Sequence, residues 1–178
     1  MRLEDIKQLI EPGNYEVCVG LNKLERRIKE FEEDYALELN PNFQRGHVWT
    51  EEQQISYVEY FLKGGRTDTI IYFSCPFFEK GTVDDYYNGL FDYPMVCVDG
   101  LQRLTALRKA LNHEIKIFGH YLNEFEDEIV FLRKIQRLKF NINTLPTKND
   151  VIKWYLEMNT TGTPHSKEEI ERVKKLLL

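Results

Sequence analysis

The chain has 178 residues, 42% hydrophobic and 30% charged, with a net charge of −5. That length supports one domain with a real core, alone or with a small helical appendage. The negative balance excludes a protein that coats nucleic acid through bulk positive charge, although it leaves room for a local basic site.

Three cysteines, Cys18, Cys75 and Cys97, form no C-x-x-C pair. Neither a zinc site nor a disulfide framework is indicated, and small core residues in a reducing cytosol are expected. Acidic residues interrupt the apolar pattern of MRLEDIKQLIEPG, which is not that of a signal peptide. No apolar stretch approaches the roughly 18 to 20 residues that cross a bilayer. A soluble cytoplasmic chain with no membrane partner is the expectation.

Taken in chain order, Leu3, Ile6 and Ile10 predict a short helix stopped by Pro12-Gly13. Leu21, Leu24, Ile28 and Phe31 predict a second helix with a charged outer face. YALELN alternates like a strand, and NPNFQRGHVW has no period. Thr50 and Gln53 form a capping box for a helix with Ile55, Val58, Phe61 and Leu62 as its stripe, stopped by Gly64-Gly65. TDTIIYFSC reads as a buried strand, residues 76–94 as a loop or hairpin, and MVCVD as a second buried strand running straight into a helix. HEIKIFG and LKFNINTL are further strand candidates, and the period does not assign LNEFEDEIVFLRKIQR between them. Thr147 and Asp150 open a helix through Trp154 and Met158, NTTGTP breaks it, and Ser166 with Glu169 caps a last helix. The sum is a mixed α/β domain: a small sheet, surrounding helices and a helical C-terminal end.

The stretch MVCVDGLQRLTALRKAL (residues 95–111) poses a problem. Arg103 falls in the first turn of a helix, where the macrodipole is positive and a cation costs roughly a few tenths of a kcal/mol. On the wheel, Leu104, Leu107 and Leu111 share a face, and Arg103 lies about 40° from Leu107. Its stem can follow the core edge while the guanidinium emerges near the helix-start N–H groups. Those donors and a planar guanidinium fork together make a phosphate cradle. Gly100 permits the tight turn and close ligand approach, and Asp99 suits an N-cap or a ligand to a divalent metal. Without a ligand, the same residues read as a cap, a turn glycine and a solvated arginine, and D-G-x-x-R alone is a weak motif.

Two further segments bear on the choice. Asn42, Gln44, Arg45 and His47 lie between Phe43 and Trp49 just before a capped helix, either a binding loop or one anchored by two aromatics. MNTTGTPHS is a Thr/Gly-rich turn between helices, most simply a connector.

In this order, F-Q-R-G-x-V-W, V-D-G-x-Q-R-L-T-A-L and N-x-x-G-T-P-x-S resemble the DGQQR-motif domains of the ParB/sulfiredoxin-like superfamily, found in modification-dependent restriction enzymes and other phage-defence proteins. Phe43, Gln44, Arg45, Gly46 and Trp49 correspond to the first box. Asp99, Gly100, Gln102 and Arg103 correspond to the second, and Asn159, Gly162, Thr163 and Pro164 to the third. The resemblance spans roughly residues 35–175. It implies an N-terminal helical segment (1–34), a ParB-like nucleotide-binding core (35–145) and a C-terminal helical pair (146–178).

It further implies that a nucleoside triphosphate binds near the D-G-x-Q-R turn, with hydrolysis coupled to DNA recognition or cleavage. Gln44, Arg45, Gly100, Arg103 and Thr163 would bind nucleotide and phosphate. Asp99, Gln102 and Arg103 would be catalytic, with Gln102 placing the phosphates or a water and Asp99 serving Mg²⁺ or water. Leu101 departs from the usual glutamine and removes one polar group. His47, His113, His120 and His165 form no His-Asn-His-type cluster, so a self-sufficient nuclease of that kind is not expected.

The leading expectation is a Mg²⁺-dependent NTPase working with DNA or a DNA-acting protein in phage–host defence or counter-defence. The alternatives are a non-catalytic ParB-like interaction or regulatory protein, and a DNA nickase or endonuclease. A sulfiredoxin-like redox role is disfavoured because Cys97 precedes the turn on the strand and should be buried.

Overall fold

The segment LKFNIN alternates because it forms the inner strand on which the sheet is assembled. In the computed structural model, which describes residues 15–44, 48–135, 138–160 and 167–177, the strands are β1 (Tyr15–Val19), β2 (Ile70–Ser74), β3 (Val96–Asp99) and β4 (Leu138–Asn143). Their order is β1-β4-β2-β3; β4 is antiparallel to β1 and parallel to β2, and β3 is antiparallel to β2. The helices are α1 (Leu24–Tyr35), α2 (Glu51–Leu62), α3 (Val83–Tyr87), α4 (Leu101–Leu111), α5 (Glu128–Lys134), α6 (Lys148–Thr160) and α7 (Lys167–Lys174). The chain is thus a mixed α/β fold, as its sequence pattern predicts.

Alternation along the strands divides the apolar side chains between two cores. Ile71, Phe73, Phe140 and Ile142 join Leu24, Ile28 and Phe31 of α1, Val58 and Phe61 of α2, and Leu104 and Leu107 of α4. Val96 and Val98 join Phe43, Tyr93, and Val151, Ile152, Trp154 and Tyr155 of α6, with Val173 of α7. Because both faces are covered, β2 and β3 are short continuous apolar runs. The Arg108 guanidinium donates to both Glu25 carboxylate oxygens at 2.8 and 2.9 Å, tying α4 to α1.

Capping chemistry sets the helix boundaries as the sequence predicts. At α2, Thr50 accepts from the Gln53 amide, and the Gln53 side chain accepts from the Thr50 amide at 2.9 Å. Gly64, at φ +100°, follows that helix. At the start of α6, the Thr147 hydroxyl donates to Asp150 at 2.6 Å. Among the described residues, no helix is long and apolar enough to cross a membrane.

Several expectations are corrected. HEIKIFG is not a strand: His113, Phe118 and Gly119 have positive φ, which breaks the extended chain and leaves one bridge between Ile117 and His120. YALELN ends α1 and continues through a left-handed Ala36; only Glu38 bridges to Val96. Residues 76–94 contain α3 rather than a hairpin, its start capped by Thr82 and Asp85. The unassigned stretch holds a single 3-10 turn, Leu122–Glu124, and α5.

Strand β1 has no predicted counterpart, because an edge strand with Glu16, Val17 and Cys18 exposed shows no apolar alternation. It places residues 15–19 of the expected N-terminal helical segment in the sheet. Cys18 is therefore a surface residue, while Cys75 and Cys97 are core residues. The helix expected over residues 3–10 and the Ser166 cap lie outside the described residues.

Candidate functional site

β3 delivers Asp99 to the edge of the sheet, and the chain turns into α4 through Gly100. Gly100 occupies the N-cap position at φ +100°, a region that L side chains rarely adopt. A Cβ there would lie 2.7 Å from Ile71 Cδ1 and 3.3 Å from both Ile71 Cα and Arg103 Nη2. The turn therefore requires glycine on two counts, conformation and space. The close approach of Nη2 also shows that the Arg103 guanidinium folds back over the helix start.

Arg103 is not the solvated side chain of the ligand-free reading. It is only 9% exposed, and its Nη2 donates to Oδ2 of Asp99, one helical turn earlier. Its Nη1 reaches Oδ1 of Asp68 at 3.4 Å. The unfavourable position in the dipole is thus offset by two carboxylates of the chain itself. Asp99 does not cap α4, since no side-chain capping bond is made there and its carboxylate faces the arginine.

Asp68 sits in the connection after α2 at φ +54°, its carbonyl accepting from the Tyr57 hydroxyl at 2.9 Å. Burial pushes the Tyr57 phenol well above its ordinary range, with the Arg103 charge opposing the shift. Tyr72 lies opposite Asp99 in the β2–β3 register. Its phenol is also raised, first by burial and then by the Asp99 charge.

The first two boxes meet. The Gln44 side-chain amide donates to the Cys97 carbonyl at 2.5 Å. The Gln102 oxygen accepts from the Val48 and Trp49 amides at 3.0 and 3.1 Å, and Gln54 donates to the Trp49 carbonyl at 3.0 Å. Gln44 and Gln102 therefore stitch the aperiodic loop to the β3–α4 turn, each through a bond to the main chain. Phe43 is fully buried against Tyr155, with ring centroids 5.3 Å apart. Burial pushes the Cys97 thiol up to about 12, which suits a core cysteine and not a nucleophile.

Arg45 and Gly46 of the first box, the neighbouring His47, and Gly162, Thr163 and Pro164 of the third box lie outside the described residues. Asn159 donates to the Tyr155 carbonyl at 2.7 Å, one turn back within α6.

Three contributors escape the motifs: Asp68, Tyr57 and Arg172. The β2–β3 pairing and the packing of α2 on α4 carry the Asp68 connection to the α4 turn, so no local spacing could reveal it. Arg172 of α7 donates to the carbonyls of Asn42, Phe43 and Gln44 at 2.8, 3.2 and 3.1 Å, fixing the loop from the far side.

Among the described residues, no three His, Cys, Asp or Glu side chains form a metal-ligating group. Asp99 and Asp68 present two carboxylates around one guanidinium, and Mg²⁺ commonly takes one or two carboxylates, with phosphate and water completing its octahedron. A separate apolar cleft of about 270 Å³, lined by Leu62, Phe118, Leu122, Phe125, Phe131 and Leu132, contains none of the residues predicted from the motifs. Comparison with family models, curated proteins and solved structures finds no match.

Proposed function

We propose that this chain binds the phosphates of a nucleoside triphosphate at the Gly100–Arg103 corner, acting with DNA or a DNA-acting partner. One observation carries the reading: a guanidinium 9% exposed, folded over the first turn of α4 where the absence of a side chain at Gly100 leaves it room. An always-charged fork so placed adds bidentate donors to the N–H groups and dipole of the helix start. The ordered resemblance to DGQQR-motif domains supports the same corner and the phage-defence setting.

In this reading Arg103 grips phosphate oxygens, and Gly100 lets its guanidinium lie over the helix start. Mg²⁺ would be held by Asp99 and would neutralise phosphate charge. Gln44 and Gln102 act by holding Gln44, Val48 and Trp49 against the turn. Hydrolysis, and nicking or cleavage of DNA, are the finer forms of this proposal. A non-catalytic interaction protein is the second reading. It is favoured because the Gln102 oxygen is engaged by Val48 and Trp49, and because Leu101 stands where the family has a second glutamine.

The test is a thermal-shift titration with triphosphates and Mg²⁺ at millimolar concentration. Binding at about 100 times Kd should stabilise the fold by about 2.7 kcal/mol. Arg103→Ala, compared with its own ligand-free melt because the native side chain is buried, should lose the shift. No shift in the wild-type protein removes the reading. A shift without phosphate release selects the non-catalytic form, and a plasmid assay with Mg²⁺ or Mn²⁺ decides the nickase form.

A further inference from the structure

We infer that Asp68 is a resident anion which holds the place of a ligand phosphate on Arg103, and that the site fills by exchanging this carboxylate for phosphate. The inference rests on the anion-binding reading above and adds a residue outside every motif.

Asp99 and Asp68 are unequal partners of the guanidinium. Asp99 makes the closer contact, and its side chain is 37% exposed. Asp68 makes a single longer contact, 3.4 Å to Nη1, and its side chain is 72% exposed. A single contact of that length from a carboxylate mostly in solvent is weaker than the Asp99 pair and partly screened by salt, so Asp68 is the partner an incoming anion can replace. Arg103 keeps a counter-charge before, during and after the exchange, as a buried cation requires.

The main chain around Asp68 is held in place. Its carbonyl accepts from Tyr57, and the neighbouring Thr67 hydroxyl is 2.8 Å from the Tyr60 hydroxyl. The left-handed backbone at φ +54° is one that Asp and Asn tolerate better than most residues. Rotation of one exposed carboxylate therefore clears Nη1 without moving the loop. Nη1 then offers its charged donor to a phosphate oxygen, while Nη2 stays with Asp99. If Asp68 stays, it repels that phosphate, so it sets the affinity of the site.

The experiment is a calorimetric titration of ATP with Mg²⁺ into the full chain at low salt, using wild type, Asp68→Asn and Arg103→Ala. Asparagine retains the backbone conformation and removes the charge. Asp68→Ser supplies a second neutral variant should the first melt early. Asp68→Asn should bind up to about fivefold more tightly than wild type, with the gap closing at about 0.5 M NaCl. Arg103→Ala should bind in neither condition. Equal or weaker binding by the neutral variants, with wild-type binding still dependent on Arg103, overturns the role of Asp68 and leaves the anion site standing. No binding by any of these proteins overturns both.

Discussion

Arg103 illustrates how one side chain resolves a conflict between local and tertiary electrostatics. Its position opposes the helix dipole, and the sequence alone points to an external anion as the compensation. Two internal carboxylates supply part of it: Asp99, which the motif contains, and Asp68, which it does not. Gly100 makes the arrangement possible, since a methyl group there would meet Ile71 at 2.7 Å and Arg103 at 3.3 Å. Gly100→Ala should therefore destabilise the protein by about 2 kcal/mol, combining left-handed strain with the steric conflict. Urea unfolding monitored by circular dichroism measures this, and an unchanged midpoint would mean that the turn accommodates a side chain. Asp99, Gly100 and Arg103 were legible as a group because they lie within five residues. Asp68 was not, because long-range contacts, the pairing of β2 with β3 and the packing of α2 on α4, bring it near.

At the scale of elements, the loop from Asn42 to Trp49 is the part the sequence describes least well and the fold uses most. It has no period because its bonds go outward: Gln44 to β3, Val48 and Trp49 to Gln102, and three carbonyls to Arg172 of α7. Gln102→Ala removes one acceptor shared by two amides. It should accelerate hydrogen exchange at Val48 and Trp49 by about fivefold, the equivalent of a net hydrogen bond of about 1 kcal/mol, while α4 amides beyond the first turn keep their protection. Exchange rates unchanged at both positions would show that the loop is held without Gln102. The helices were readable where capping residues mark them, as Thr50 and Thr147 do. HEIKIFG has strand-like composition and failed because positive φ values at His113, Phe118 and Gly119 turn it sharply. β1 failed for the opposite reason, since an exposed edge strand has little apolar pattern to read.

Over the whole molecule, a four-stranded sheet with a core on each face brings the β3–α4 turn, the 42–49 loop and the connection before β2 to one corner. The mixed α/β class followed from capped helices alternating with short apolar runs. The strand order did not, because inserting β4 between β1 and β2 depends on long-range packing rather than local periodicity. Whether this corner receives phosphate is decided by a titration of the ¹⁵N-labelled protein with Mg²⁺ and ATP, followed by amide NMR. Saturable shifts of the Gly100–Leu104 amides and of Arg103 Nε, absent in Arg103→Ala for the same backbone amides, are predicted. If those resonances stay still at millimolar nucleotide, phosphate binding at this corner is contradicted.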